Sequence, residues 1–421
     1  MIRKLSIFTV AALAIFAVAC KPQPQGESAP PAATQEAAAP AMPTTTGVTD
    51  TEIKIGSWAP LTGPAASYAI VAKAQQAYIN SINDAGGIHG RMLKLELRDD
   101  AYQPAKTVAA VKELVEKEQV FAFAAGIGTA TGMAVKDYLD ENQKVWVGPA
   151  TGSSVWADPP SKYRFAVYPT YGTEATLLVE YAAKNFKKKK LAVFYQNDAF
   201  GEEGLKAVRA TAARLGLEVL EEVSHEMTDT DLSSQALKVK SSGADTVVIW
   251  STPKHAAMFV KSAAKIKYKP QYFTTSTLTD PVMFQLAGDA WNKVISADWM
   301  PLPTDETEGV AEFKAAMEKY APGIPLGNFT MVAFVLTEPL IEGLRRAGRD
   351  LTTEKLVDAM DSLDKWSGKY AHEVSFGPGK RQGTDQVFFV QAQDGKLVRL
   401  TDWRSTMAAG DEATEAAPAA E

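Results

Sequence analysis

Hydroxyl groups set beside glycines are the residues of this sequence best placed to do chemistry. The stretch FAFAAGIGTATGMAV, Phe121 to Val135, runs an apolar segment into a turn carrying Gly126, Gly128 and Gly132, with Thr129 directly after the second glycine. A second turn, PATGSS, follows the next apolar run and offers Ala150, Thr151 and Ser153. Glycines let backbone N–H groups approach an anion closely, and a helix start favours negative charge. A threonine hydroxyl and an N–H aimed at an ionised oxygen form charge-assisted hydrogen bonds, stronger than neutral ones. The chemistry these residues point to is capture of an anion. A dinucleotide pyrophosphate fits poorly, because the spacing is GxGxxxG and not GxGxxG. Either threonine also suits the N-cap of a following helix, which uses the same geometry.

Catalysis finds less support. His89, His225, His255 and His372 are scattered, and no pair has metal-ligand spacing. There is no GxSxG elbow. Paired carboxylates such as Asp99–Asp100 and Glu202–Glu203 are sequence neighbours that solvent exposure or helix starts explain. No enzyme, metal or cofactor is expected, although an α/β fold does not by itself dictate function.

The single cysteine, Cys20, follows Ala17-Val18-Ala19 and an apolar run from Leu5 to Val18 headed by Arg3 and Lys4. That is the layout of a secretory signal over residues 1–19. It resembles the lipobox of bacterial lipoproteins, in which the cysteine is lipidated (a palmitate among its acyl chains) and becomes the new N-terminus. Ala17 stands where that family more often has leucine. Residues 20–50 are rich in Pro, Ala, Gln and Thr without apolar periodicity, and read as the lipidated cysteine and a disordered tether. Residues 407–421 read as a disordered tail. The expected location is extracytoplasmic, in the cell envelope, with the chain lipid-anchored to a membrane. The net charge of −6 and the single basic run, KKKK at 187–190, point to a solvated loop and away from nucleic acid.

Stepping along the remaining chain, apolar runs alternate with amphipathic segments. EIKIGSW, KLELRDD, VFAFAAG and VWVGPA read as strands, with helices between them such as PAKTVAAVKELVEK. The cycle restarts at LAVFYQN, with a helix from GEEGLKAVRATAARLG, a helix through Ser234–Lys240, the strand TVVIWS and the helix HAAMFVKSAAKI. This alternation predicts parallel sheets covered on both faces, in two α/β lobes. Ligands in such sheets bind beyond the carboxyl ends of the strands.

Several of these stretches carry a resemblance. KIGSWAPLTGPAASYA, INDAGGIHGRMLKLELRDDAYQPAKTVAAVKELV, FYQNDAFGEEGLKAV, MFQLAGDAW and the closing QVFFVQAQDGKLVRL resemble the branched-chain-amino-acid-type periplasmic solute-binding proteins of ABC transporters, over residues 52–403. The resemblance implies two doubly wound parallel-sheet lobes of the type I periplasmic binding protein kind, joined by three hinge crossings near Tyr168, Trp299 and Tyr370. It places residues 51–168 and 300–370 in lobe I, and 169–299 and 371–406 in lobe II. It also implies a monomer that closes around a small amino acid or related carboxylate and hands it to ABC permease subunits. A ligand-sensing protein of the same fold, or a binder of a non-amino (for example aromatic) carboxylic acid or amide, is the alternative.

The resemblance assigns the ligand's carboxylate to Gly128, Thr129, Ala150 and Thr151. Gly152 stands where the family often keeps a threonine, so Thr151 or Ser153 would supply that hydroxyl. Tyr68 takes a position that packs on the ligand side chain, with Trp58 one strand-end away. Phe200 sits where a tyrosine from the second lobe usually covers the ligand, and Thr252 replaces another; Tyr171 and Asp198 complete the candidates. Ser276 occupies the place of the acid that commonly receives an α-amine. A buried ammonium without an anionic partner is costly. Either Asp198 or Asp280 reaches in, or the ligand has no α-amine; Asp280 also suits a helix cap before Pro281.

Overall fold

A computed structural model describes residues 45–186 and 190–406. The signal segment, Cys20, most of the tether, Lys187–Lys189 of the basic run and the C-terminal tail lie outside the described residues.

In the first lobe the chain runs through β1 (Glu52–Ala59), α1 (Ala69–Asp84), β2 (Met92–Asp99), α2 (Pro104–Glu116), β3 (Ala122–Ala124), α3 (Thr129–Met133), α4 (Lys136–Glu141), β4 (Val145–Val147) and β5 (Arg164–Phe165). It crosses to the second lobe for α5 (Tyr171–Phe186), β6 (Lys190–Gln196), α6 (Ala199–Leu215), β7 (Glu218–His225), α7 (Ser233–Ser242), β8 (Thr246–Trp250), α8 (Pro253–Lys265), β9 (Gln271–Thr274), α9 (Val282–Ala287) and β10 (Ile295–Asp298). It then returns for α10 (Glu308–Tyr320), α11 (Asn328–Ala347) and α12 (Thr353–Asp361), and ends in β11 (Gln386–Gln393), β12 (Lys396–Arg399) and β13 (Arg404–Ser405) of the second lobe.

The first sheet is parallel throughout, in the order β2-β1-β3-β4-β5. The second runs β12-β11-β10-β9-β8-β6-β7, parallel except where β11 meets β10 and its own hairpin partners. Strands buried on both faces need apolar, β-branched or aromatic residues throughout, and all five residues of β8, TVVIW, are buried. Helix limits follow local chemistry. Pro104 opens α2 and the Asp198 carboxylate caps α6, which ends at Gly216 with φ 66°.

Two expectations need correction. The tether does not extend to residue 50. Gly47 accepts from the Lys54 N–H, Val48 bridges Ile53, and the Thr45 hydroxyl donates to the Leu351 carbonyl at 2.8 Å. Adding backbone bonds to the edge of β1 orders residues whose composition alone buries nothing. The third crossing also lies later than Tyr370. That ring packs on Tyr78 and Phe334 of the first lobe. Beyond it Val374 bridges Trp366, Gln382 bridges Ala166, and Arg381 pairs with Asp361 at 2.6 Å. The chain therefore stays with the first lobe through about residue 383. No long apolar strand announces these single bridges in the sequence.

Candidate functional site

The carboxyl ends of the strands of both sheets face one cavity. Counting its mouth, it encloses about 610 Å³ of atom-free space. The first lobe contributes Tyr68, Tyr102, Ile127, Gly128, Thr129, Ala150, Asn328 and Phe329. From the second come Tyr171, Phe200, Thr252, Ser276 and Thr277, while Tyr168 and Met300 line it from the crossings. Six aromatic rings dominate the wall, which among the described residues contains no Asp, Glu, Lys or Arg. Polar contacts there must come from hydroxyls, one amide and backbone groups.

The two predicted turns are brought together as the glycine spacing requires. Ile127 bridges Ala150, and the Ala150 N–H donates to the Gly126 carbonyl at 3.0 Å. Thr129 and Thr151 meet hydroxyl to hydroxyl at 2.6 Å, both buried. Gly128 has φ 108°, and a Cβ there would lie 2.7 Å from the Tyr102 ring, so conformation and space both require glycine. Gly152, where the resemblance implies a threonine, is explained by its neighbour: a Cβ would fall 2.8 Å from the Tyr171 ring and 2.5 Å from the Pro169 carbonyl. The Tyr171 ring takes the space that a side chain at 152 would need.

Of the positions weighed from sequence, Tyr68, Gly128, Thr129, Ala150, Tyr171, Phe200, Thr252 and Ser276 line the cavity. Tyr68 packs on Phe329 with ring centres 4.8 Å apart, and Tyr171 on Phe200 at 5.1 Å. Burial raises the pKa of both tyrosines, which keeps their hydroxyls protonated. Thr151 stands behind Thr129. Trp58 is not in the wall: its indole packs against Phe123 and Trp146 beneath the glycine turn. Ser153 caps the turn at Ser154–Trp156 by accepting from the Val155 N–H. Asp198 and Asp280 do not line the cavity either. Asp198 receives the Phe200 and Gly201 N–H groups, and Asp280 those of Val282 and Phe329, both at 2.9 Å. Backbone donors in fixed loops hold each carboxylate away from the cleft. Cys20 lies outside the described residues.

Several residues were not legible in sequence. Tyr102, Tyr168, Thr277, Asn328 and Phe329 come from segments far apart in the chain, and nothing in their spacing marks them. Glu174 is fully buried one turn into α5, where it accepts from the Ser276 N–H at 3.0 Å, the Ser276 hydroxyl at 2.7 Å and the Thr275 hydroxyl at 2.7 Å. Burial pushes its carboxyl up to about 6, with those three bonds pulling the other way. Asp298, at the end of β10, is pushed up to about 7 by burial and holds the Asn328 amide.

At the end of β7 and the start of α8, the rings of His225 and His255 stack 4.5 Å apart. His225 meets the Ser251 hydroxyl at 2.7 Å, and His255 lies 3.4 Å from the hydroxyl of cavity residue Thr252. Among the described residues no group of three or more His, Cys, Asp or Glu could hold a metal. Burial, then the neighbouring His255, lower the His225 pKa from 6.5 to about 4. A folded-state pKa below the unfolded one means that the fold favours the neutral ring. That contribution is complete above about pH 6.5 and is lost as pH falls toward 4. The thermal midpoint is therefore expected to drop across this window, and less steeply in His225→Asn. Equal slopes for the two proteins in a melting series would show that His225 does not contribute.

A protein-family model described as periplasmic binding protein matches residues 52–396. The Leu/Ile/Val-binding protein homolog 3 of Brucella melitensis is 29% identical over 301 residues, covering 70% of this chain and 80% of that protein. The Leu/Ile/Val-binding protein BraC3 of Rhizobium johnstonii is 27% identical, covering 73% and 83%. Among solved structures, a branched chain amino acid ABC transporter protein from Thermus thermophilus with bound valine superposes with a TM-score of 0.79 at 22% identity, covering 85% of this chain and 98% of that one. A fatty acid ABC transporter substrate-binding protein from Thermomonospora curvata gives 0.79 at 23% identity, covering 87% and 95%. These likenesses establish the type I two-lobed fold, and the relatives are binding proteins, not enzymes.

Proposed function

The chain belongs to the periplasmic binding protein family, and from that premise we propose that it is the extracytoplasmic, lipid-anchored solute-binding component of an ABC importer. It captures a small amino acid or related carboxylate between its lobes and presents it to the permease. The observation that carries this reading is the cavity itself, with residues of both lobes and of two crossings in one wall. A ligand touching both lobes favours the closed arrangement, because it binds that arrangement better than the open one. The names of the Brucella and Rhizobium relatives support an amino acid. A second reading, a carboxylic acid without an amine, draws on the lack of any charged side chain in the wall and on the fatty-acid name of the Thermomonospora neighbour.

Small molecules extracted from the purified mature protein, with a thermal-shift screen against amino acids and aromatic and aliphatic acids, test this proposal. A stabilising ligand recovered unchanged supports it; chemical turnover of the ligand would overturn it. For the anchor, Cys20→Ser is expected to move the protein from the membrane to the soluble extracytoplasmic fraction. Undiminished membrane attachment of that variant would remove the lipoprotein reading. About 30 flexible residues give an average span of roughly 30 Å, sufficient for the body to reach a neighbouring permease.

A further inference from the structure

Among the described residues no cation pairs with Glu174, yet its carboxylate is fully buried and its bonds come from Thr275 and Ser276. A carboxylate only accepts, so the Ser276 hydroxyl spends its one proton on Glu174. Tyr168, also hydrogen-bonded to that hydroxyl, must then be a donor to it. What Ser276 has left for the cavity is an oxygen lone pair backed by a negative charge.

Asn328 offers a second acceptor. Its Nδ2 donates to the Thr279 hydroxyl at 2.8 Å and to the Asp298 carboxylate; Thr279 spends its own proton on the Ser276 carbonyl, so the Asn328 group it meets must be the donor, which fixes the amide. Its Oδ1 is the free end of a cavity-lining amide, is buried, and has no hydrogen-bond partner among the described residues. Thr279 ties the two positions together by donating to the Ser276 carbonyl at 2.8 Å. Two acceptors, one of them charged from behind, suit a donor that is itself positive. The other acids near the cleft are used differently: Asp198 and Asp280 hold backbone N–H groups, and neither touches a cavity side chain that offers a free acceptor.

We propose that the Ser276–Asn328 side of the cavity is an ammonium site, with Glu174 as the positioning residue that charges it through Ser276, so that the ligand carries a protonated amine. The proposal rests on the solute-binding reading above and narrows it from carboxylates in general to amino-bearing ones. The acid that the sequence lacks at position 276 is supplied from α5, one hydroxyl further back.

Calorimetric titration at pH 7.5 with L-leucine and L-phenylalanine, and with their deamino counterparts 4-methylpentanoate and 3-phenylpropanoate, tests it. In the wild type the better-binding amino acid should exceed its counterpart at least tenfold. Glu174→Gln should weaken that amino acid roughly tenfold to a hundredfold and leave the deamino acid unchanged or tighter. Ser276→Ala, which removes the relay, should show the same selective loss and serves if Glu174→Gln fails to fold. Amino-acid affinity of the wild type should also fall below about pH 6, as Glu174 takes up a proton, and this dependence should be smaller in Glu174→Gln, where Asp298 behind Asn328, pushed up to about 7 by burial, is left to titrate. Tyr168 and Tyr171 are the titratable groups facing Glu174, and burial keeps both protonated in this range. Equal losses for both members of a pair, or a wild-type preference for the deamino acid, would overturn the ammonium site while leaving the cleft as a carboxylate site. If none of the four compounds binds the wild type and the thermal-shift screen finds only ligands without an amine, the ammonium site is overturned and the solute-binding reading stands; if that screen finds no ligand at all, the solute-binding reading fails, and this inference with it.

Discussion

Thr129→Ala is expected to weaken ligand binding roughly tenfold to over a hundredfold with the fold intact. The Thr129 side chain is in the cavity wall, and its only described hydroxyl partner is Thr151 at 2.6 Å. Two hydroxyls that share one hydrogen bond leave one proton to donate elsewhere, and the cavity-facing member can deliver it to an anionic ligand oxygen. A hydrogen bond to a charged group contributes about 1.5–3 kcal/mol, which sets the expected range. Thr151→Ala should do less, since Thr129 keeps its place and is free to turn its proton into the cavity. Titration calorimetry of both variants, with far-ultraviolet circular dichroism to check the fold, measures the difference. A Thr151→Ala loss equal to or larger than that of Thr129→Ala would show that the hydroxyls act in the other order.

Glu338→Ala is expected to lower the unfolding free energy by about 3 kcal/mol or more without touching the ligand site. Glu338 is buried in α11, and its carboxylate accepts the N–H groups of Lys369 at 2.6 Å, Tyr370 at 3.0 Å and Ala371 at 2.8 Å. That bend lies within the first lobe, ahead of the last crossing. Alanine would strand three donors, two of them on buried residues, at about 1–3 kcal/mol for each buried donor left unpaired. Glu338→Gln keeps one accepting oxygen and should lose roughly half as much. Urea titrations give both values; near-equal stability of wild type and Glu338→Ala would mean that water replaces the carboxylate fully at this bend.

The sequence by itself determined the strand–helix alternation, the two wound lobes and the pair of glycine turns at one end of the first sheet. These are local properties: apolar runs of strand length, 3.6-residue periodicity, and glycines where no side chain fits. It also pointed to part of the cavity wall, because Thr129, Ala150, Phe200, Thr252 and Ser276 follow directly on the ends of strands or the turns after them. Tertiary structure decided which residues at those ends face the ligand. Trp58 and Ser153 sit at strand and turn ends too, but packing beneath the turn claims the indole and a local cap claims the hydroxyl. The acid shows the same division. Position 276 reads as a missing carboxylate because sequence compares one position at a time. Glu174 reaches Ser276 across a separation of 102 residues, and only the docking of α5 against the end of β9 makes them neighbours. The third crossing and the ordered residues 45–50 likewise rest on isolated bridges and single hydrogen bonds, among them Gln382 with Ala166 and Thr45 with Leu351, which leave no periodic mark in either segment.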